Sequence, residues 1–185
     1  RDLRMSRGLG DVYKRQVLQI PFRKPDPIIS VIELVMKGNE ITVDNTQALD
    51  PEIGTNELSV IFAEAKDCHV YKSSWMEKFG EWKHEYCVSN LNRGGKIIWT
   101  VDVKSPGTYQ VELKVRGNGR VVWKVETDEG QMAQNQQSAS SIFCKRPIGW
   151  IRFDKPGRHT ITVNMPEGGK QADISSISMT PIYFE

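Results

Sequence analysis

The sequence predicts an all-β fold, an antiparallel β-sandwich, from three observations. Apolar and polar residues alternate with a period of two in several segments after Gly95. Glycine and proline residues stand between these segments, and no long amphipathic helical pattern occurs. Alternation places one face of a strand on a core and the other in solvent, and repeated short strands of this kind are typical of sandwiches.

The predicted strands can be followed in chain order. They cover residues 97–103, 109–115, 121–125, 150–153, 159–163 and 173–181. Trp99 and Trp123 fall on inward positions and are predicted to lie in the core. Gly117-Asn118-Gly119 has the composition of a hairpin turn.

Other parts of the chain have a weaker pattern. Residues 58–63 are strand-like, whereas residues 68–95 are predicted to be mostly loop with a short helix as an option. The glutamine- and serine-rich residues 128–141 are predicted to form a surface loop. Residues 38–57 are polar and are interpreted as a linker or long loop.

The first 37 residues of the chain fall into two parts, residues 1–16 and residues 17–37. Residues 1–16 have neither helical nor strand periodicity, and they resemble translated sequencing-adapter read-through rather than natural sequence. Residues 28–36 alternate as a strand. We therefore interpret residues 17–37 as the remnant of an upstream β domain, and residues 58–185 as the sandwich.

Composition excludes two classes of partner. Of the 185 residues, 38% are hydrophobic and 26% are charged, as in globular proteins. Residues 1–16 carry five basic and two acidic side chains, which leaves 20 basic and 21 acidic in the rest of the chain. A body this close to neutrality predicts no nucleic-acid binding. The absence of an apolar run of 18 residues predicts no membrane span.

Three cysteines, Cys68, Cys87 and Cys144, leave two interpretations open. Cys68 and Cys87 could pair in an oxidising compartment. Alternatively, all three are small buried apolar residues.

The sequence contains no catalytic constellation that we could identify, so the fragment is predicted not to be an enzyme. Aromatic rings in the irregular region are candidates for stacking on sugar faces, and nearby amides could bind hydroxyl groups. The candidate carbohydrate-binding residues are Trp75, Trp82, Tyr86 and Asn90, with Asn92 as a further amide. Alternatively, these rings close the sandwich edge or pack against another domain.

Two resemblances extend this interpretation. Val17-Leu18-Gln19-Ile20-Pro21-Phe22-Arg23-Lys24-Pro25-Asp26-Pro27, followed by Val31-Ile32-Glu33-Leu34, resembles the end of the β-sandwich that follows the catalytic barrel in family 29 α-L-fucosidases. Phe62-Ala63-Glu64-Ala65, Trp99-Thr100-Val101-Asp102-Val103 and Gly157-Arg158-His159-Thr160-Ile161-Thr162-Val163 resemble segments of carbohydrate-binding modules of families 6 and 35.

The resemblance implies a jelly-roll, galactose-binding-like sandwich that serves as a non-catalytic C-terminal module of a bacterial glycoside hydrolase. It implies carbohydrate and the catalytic barrel of the same parent as partners, and a periplasmic, secreted or surface-anchored location. No cofactor is required, but Glu64 and Asp173 match positions that help to hold a structural calcium in these modules. The alternatives are a purely structural module and a module of another hydrolase, such as a β-galactosidase or a sulfatase.

Overall fold

A computed structural model describes residues 43–76, 78–168 and 171–183 as two six-stranded sheets. The predicted β-sandwich is therefore confirmed. The predictions made for residues 1–37 lie outside the described residues. Among the described residues, no helix combines the length and the apolar character that crossing a membrane requires.

The described part of the chain contains twelve strands, together with short 3-10 turns. The strands are β1 (Gln47–Leu49), β2 (Asn56–Ser59), β3 (Glu64–Lys66), β4 (His69–Met76), β5 (Trp82–Ser89), β6 (Lys96–Val103), β7 (Gly107–Gly117), β8 (Arg120–Thr127), β9 (Met132–Ser138), β10 (Cys144–Phe153), β11 (Gly157–Asn164) and β12 (Ala172–Ile182). The 3-10 turns are Pro51–Ile53, Val60–Phe62 and Leu91–Arg93.

The strand order shows how the chain alternates between the two layers. The first sheet has the order β1-β6-β11-β8-β9, with β3 also paired to β6. The second sheet has the order β10-β7-β12-β5-β4, with β2 also paired to β12. β1 runs parallel to β6, and the other pairings among the described residues are antiparallel.

The core lies between the inward faces of the two sheets. Trp99 and Trp123, which alternation placed inside, are both fully buried. The indole Nε1 of Trp99 donates to the carbonyl oxygen of Ser59 at 3.0 Å, so its polar atom has a partner inside the core. Tyr109 and Phe153 pack edge to face nearby, with ring centroids 6.1 Å apart.

The sandwich begins earlier in the chain than predicted. β1 and β2 lie in residues 38–57, which were interpreted as a linker, and each joins a sheet. The buried residues of this segment do not form an apolar pattern in the sequence, because polar residues separate them. One of the buried residues, Asn56, is itself polar, and its side chain binds the backbone of Asp50 and Gly54. The strand predicted over 58–63 ends at Ser59, whose hydroxyl accepts from the backbone of Ile61 and begins a 3-10 turn.

Two predicted loops are β-hairpins. Residues 68–95 contain the β4–β5 hairpin, and residues 128–141 contain the whole of β9, which pairs with β8. Alternation is weak in both because they lie at sheet edges. Within β9, for example, Ala133 alone is buried.

The turn at Gly117-Asn118-Gly119 does not make the hairpin that its composition predicts. β7 belongs to the second sheet and β8 to the first, so this turn carries the chain across the sandwich. The turn backbone instead bonds the loop after β9: Gly117 N donates to Ser140 O, and Ala139 N donates to Gly119 O, both at 2.7 Å. Turn residues reverse the chain, but they do not determine whether the flanking strands pair or pack face to face.

Candidate functional site

The β4–β5 hairpin brings three of the predicted carbohydrate-binding residues onto one element. Its strands pair over their full length, from His69 opposite Ser89 to Met76 opposite Trp82. Only Val88 pairs with the neighbouring strand β12. Opposed residues share a face and successive residues alternate, so the two faces of this ribbon can be assigned from the register.

We call the face that carries Trp82 and Tyr86 the aromatic face of the hairpin. Trp82 is 61% exposed and Tyr86 is 41% exposed, which is high for such large rings. Trp75 is opposite Lys83 and therefore lies on the other face. The structure thus places Trp82 and Tyr86 on one face of the hairpin and Trp75 on the other.

Asn90 and Asn92 lie at the far end of β5 from Trp82. Asn90 has left-handed backbone geometry, with φ of 66°, and its carbonyl accepts from Arg93 N at 3.3 Å. Asparagine tolerates this conformation better than most residues, which gives Asn90 a conformational role in the turn. Eight residues of extended chain separate Asn90 from Trp82, or roughly 26 Å, so the two cannot contact the same sugar ring.

A second group of side chains lies against the opposite face of the hairpin. We call it the Arg116 cluster, and its members are Tyr71 and Ser73 from the hairpin with Arg116, Phe143 and Asp173 from other parts of the chain. Arg116 Nε donates to Asp173 Oδ2 at 3.0 Å, and Arg116 Nη2 donates to the Tyr71 hydroxyl at 2.5 Å. The Tyr71 hydroxyl in turn donates to Asp173 Oδ2 at 2.6 Å. The guanidinium group lies 4.7 Å from the centroid of the Phe143 ring, within cation–π range.

Burial and the nearby carboxylate both disfavour ionisation of Tyr71. Burial, followed by the hydrogen bond and the charge of Asp173, raises the pKa of Tyr71 to about 12. The hydroxyl therefore stays protonated near neutral pH and acts as a fixed donor to Asp173. A polar hollow beside the cluster is lined by Asn118, Ser141 and Gln171, among others.

The two residues predicted to hold calcium are on different sheets. Glu64 lies on β3, and its exposed carboxylate pairs with Lys66 at 3.2 Å. Asp173 lies on β12, where Arg116 and Tyr71 already bind its carboxylate. Among the described residues, no group of three or more His, Cys, Asp or Glu side chains could hold a metal ion. As placed here, Glu64 and Asp173 do not fit a shared calcium site.

The cysteines are free thiols. Cys68 Sγ contacts the carbonyl of Lys96, and Cys87 Sγ contacts the carbonyl of Glu85, each at 3.5 Å. Burial, and then the charge of Glu85, raises the pKa of Cys87 to about 11.

Sequence reasoning missed the Arg116 cluster apart from Asp173. Arg116 and Asp173 are directly opposed on β7 and β12, but no local pattern shows that two strands this far apart in sequence will pair. The signal available in the sequence was Arg116, a charged residue at the end of an alternating strand. Charged residues at such positions are common and do not by themselves indicate a cluster.

The fold resembles that of several solved structures. The GH26-CBM35 β-(1,4)-mannanase of Podospora anserina has a TM-score of 0.58 and 18% identity over 71% of this chain and 28% of its own. The Paenibacillus cycloisomaltooligosaccharide glucanotransferase has a TM-score of 0.51 and 14% identity over 66% of this chain and 18% of its own. The mosquito-larvicidal Cry4Aa toxin of Bacillus thuringiensis has a TM-score of 0.55 and 12% identity over 77% of this chain and 26% of its own.

These similarities are at the level of fold. No family model matches the chain, and no curated protein matches it. The chain spans 28% or less of each of these three proteins. Carbohydrate-active enzymes are among the neighbours, but an insecticidal toxin shares the sandwich, so the fold alone does not determine a function.

Proposed function

We propose that this chain is a non-catalytic accessory module of a glycoside hydrolase and that it binds carbohydrate through the aromatic face of the β4–β5 hairpin. The observation that carries the proposal is the exposure of Trp82 and Tyr86 on one face of the β4–β5 hairpin. Aromatic rings exposed in this way offer flat apolar area for the C–H faces of sugars. The carbohydrate-active enzymes among the structural neighbours support the same class of function.

A glycan array with the whole chain tests the proposal. We expect binding to at least one glycan, and we expect Trp82→Ala to remove it. Trp150→Ala is the matched control, because Trp150 is 64% exposed but lies on β10, away from the hairpin. Loss of binding in the Trp150 variant alone would place the binding surface elsewhere.

The Arg116 cluster offers a second surface within the same experiment. Asn118 and Gln171 line the polar hollow, and both are exposed enough to be replaced without disturbing the core. If Asn118→Ala with Gln171→Ala removes glycan binding and Trp82→Ala does not, the hollow rather than the hairpin is the binding site.

A structural role without sugar binding is the second candidate function. Trp150, Pro147 and Ile182 line a shallow, mostly apolar hollow on the outer face of the second sheet. Exposed apolar surface of this kind is typical of contacts with another protein surface. A folded sample that binds no glycan on the array would favour this function over the first.

The parent protein is part of the proposal. The resemblance of residues 17–36 to family 29 α-L-fucosidases favours that enzyme, with a periplasmic, secreted or surface-anchored location. A β-galactosidase or sulfatase parent is the alternative. Sequencing the gene upstream of the region that encodes this chain would decide between them, because a catalytic barrel of a different family would contradict the fucosidase proposal.

A further inference from the structure

The aromatic face of the hairpin has an ordered succession of rungs, each formed by one residue from β4 and its partner on β5. From the tip to the base, the rungs are Met76 with Trp82, Ser74 with His84, Lys72 with Tyr86, and Val70 with Val88. The last rung is anchored in the sandwich, because Val88 is part of the core. The first three lie on the tip side of Val88, the residue of β5 that pairs with β12.

The two rings on this face are too far apart to bind one sugar. Trp82 and Tyr86 are four residues apart on one strand, which separates their Cα atoms by about 13 Å. A single pyranose ring that stacks on one of them leaves the other uncovered. Both rings can be used together only by a ligand that extends over the rung between them.

The rung between the two rings, Ser74 with His84, is polar, and a hydrogen bond joins its two side chains. Ser74 Oγ and His84 Nδ1 lie 2.8 Å apart, in a hydrogen bond across the two strands. Ser74 and His84 have further hydrogen-bonding capacity, and Lys72 on the neighbouring rung adds an ammonium group to the same face of the hairpin. A polyhydroxylated chain can bind these groups, whereas the central part of a protein–protein interface is normally depleted of charged residues.

We propose that the aromatic face of the hairpin binds a linear oligosaccharide of at least three sugar units, stacked on Trp82 and Tyr86 and hydrogen-bonded to the Ser74–His84 rung. This inference rests on the proposed function and specifies the class of ligand. Two weak stacking contacts joined by one chain act together, so affinity rises once the ligand is long enough to reach both.

The test is calorimetric titration of the whole chain with β-1,4-linked mannose and glucose oligosaccharides of one, two, three and six units. We expect the hexasaccharide of one series to bind at least about tenfold more tightly than its disaccharide. Trp82→Ala and Tyr86→Ala should each weaken hexasaccharide binding by about tenfold. Trp150→Ala should leave it unchanged.

Three results would overturn the inference. They are equal affinity for the disaccharide and the hexasaccharide, an effect of only one of the two ring substitutions on the hexasaccharide, and a lack of binding to both series. The proposed function is judged separately on the glycan array: a module that binds short glycans with no dependence on length keeps that function and loses this inference. Circular dichroism of each variant excludes unfolding as the cause of any loss.

Discussion

Arg116 shows how one side chain can organise the outer face of a sheet. Its guanidinium group bonds Asp173 and Tyr71 and packs on Phe143. The Asp173 side chain is 14% exposed and the Arg116 side chain 30%, so solvent screens this pair less than the other arginine–carboxylate pairs among the described residues. Charge-assisted hydrogen bonds of this kind are stronger than those between neutral groups.

Replacing Arg116 should therefore destabilise the fold. We expect Arg116→Met to cost about 1–3 kcal/mol, because Asp173 keeps its charge but loses its cation and a hydrogen bond. Arg152→Met is the control: Arg152 pairs with Asp154, but their side chains are 63% and 55% exposed. Its cost should stay within about 0.5 kcal/mol. Urea denaturation measures both, and equal costs would contradict the special position of Arg116.

Cys87 is predicted to be a protected thiol. It is fully buried, and its pKa of about 11 lies well above neutral pH. At pH 8 only about one molecule in a thousand carries the reactive thiolate, even before access is considered. Iodoacetamide should therefore modify Cys87 only after unfolding, as read by peptide mass spectrometry. Modification in the native protein at the rate of the denatured protein would contradict this.

At the scale of elements, the two hairpins show where local pattern is insufficient. At the base of β5, Cys87, Val88 and Ser89 are all buried, whereas the three residues nearest the tip are all exposed. Burial along this strand therefore does not follow the period of two on which the prediction relied, although the backbone is a regular strand. β6 and β11 lie inside the first sheet, and their alternating burial matches the prediction at each inward position.

The pairing of β7 with β12 can be tested at a glycine. A Cβ atom added to Gly117 would lie 2.8 Å from Gln171 O and 3.0 Å from the Cα of Ala172, so backbone would have to move. We expect Gly117→Ala to cost about 1–3 kcal/mol through overpacking.

Gly107 at the other end of β7 is the matched position. The nearest atom to an added Cβ there is in the side chain of Tyr109, at 3.7 Å, which is an ordinary contact. Gly107→Ala should therefore be close to neutral in thermal denaturation. A loss of stability equal to that of Gly117→Ala would argue against the close approach of β7 and β12.

At the scale of the whole molecule, the two sheets separate residues that a resemblance placed together. Glu64 and Asp173 lie on strands of different sheets, and each carboxylate already has a basic partner. A ligand that binds only the folded state raises its stability, so calcium binding would be visible as a higher melting temperature.

We therefore expect calcium and a chelator to give the same melting temperature in scanning calorimetry. The reason is that the described residues offer no group of three or more His, Cys, Asp or Glu side chains to hold the ion, and Arg116 and Tyr71 already bind Asp173 Oδ2. A rise with calcium that is lost in Asp173→Asn and in Glu64→Gln would contradict the placement of these residues. Glu81→Gln is a suitable control, because Glu81 forms an exposed pair with Lys83 on the hairpin.

The class of fold and the inward position of the tryptophans could be predicted from the local pattern of residues. Alternation is a local property, and β6, β7 and β11 show it within their sheets. The exposed rings of the hairpin could also be selected from sequence as candidate binding residues. Their division between two faces could not, because it depends on the register of β4 with β5.

Which strands share a sheet and which side chains meet could not be predicted in this way. Asp173 bonds Arg116 across 57 residues of chain and Tyr71 across 102. The glycine turn between β7 and β8 joins two sheets instead of two neighbouring strands. These features depend on long-range pairing, and its free energy comes from burial of both sheets against each other rather than from any short segment.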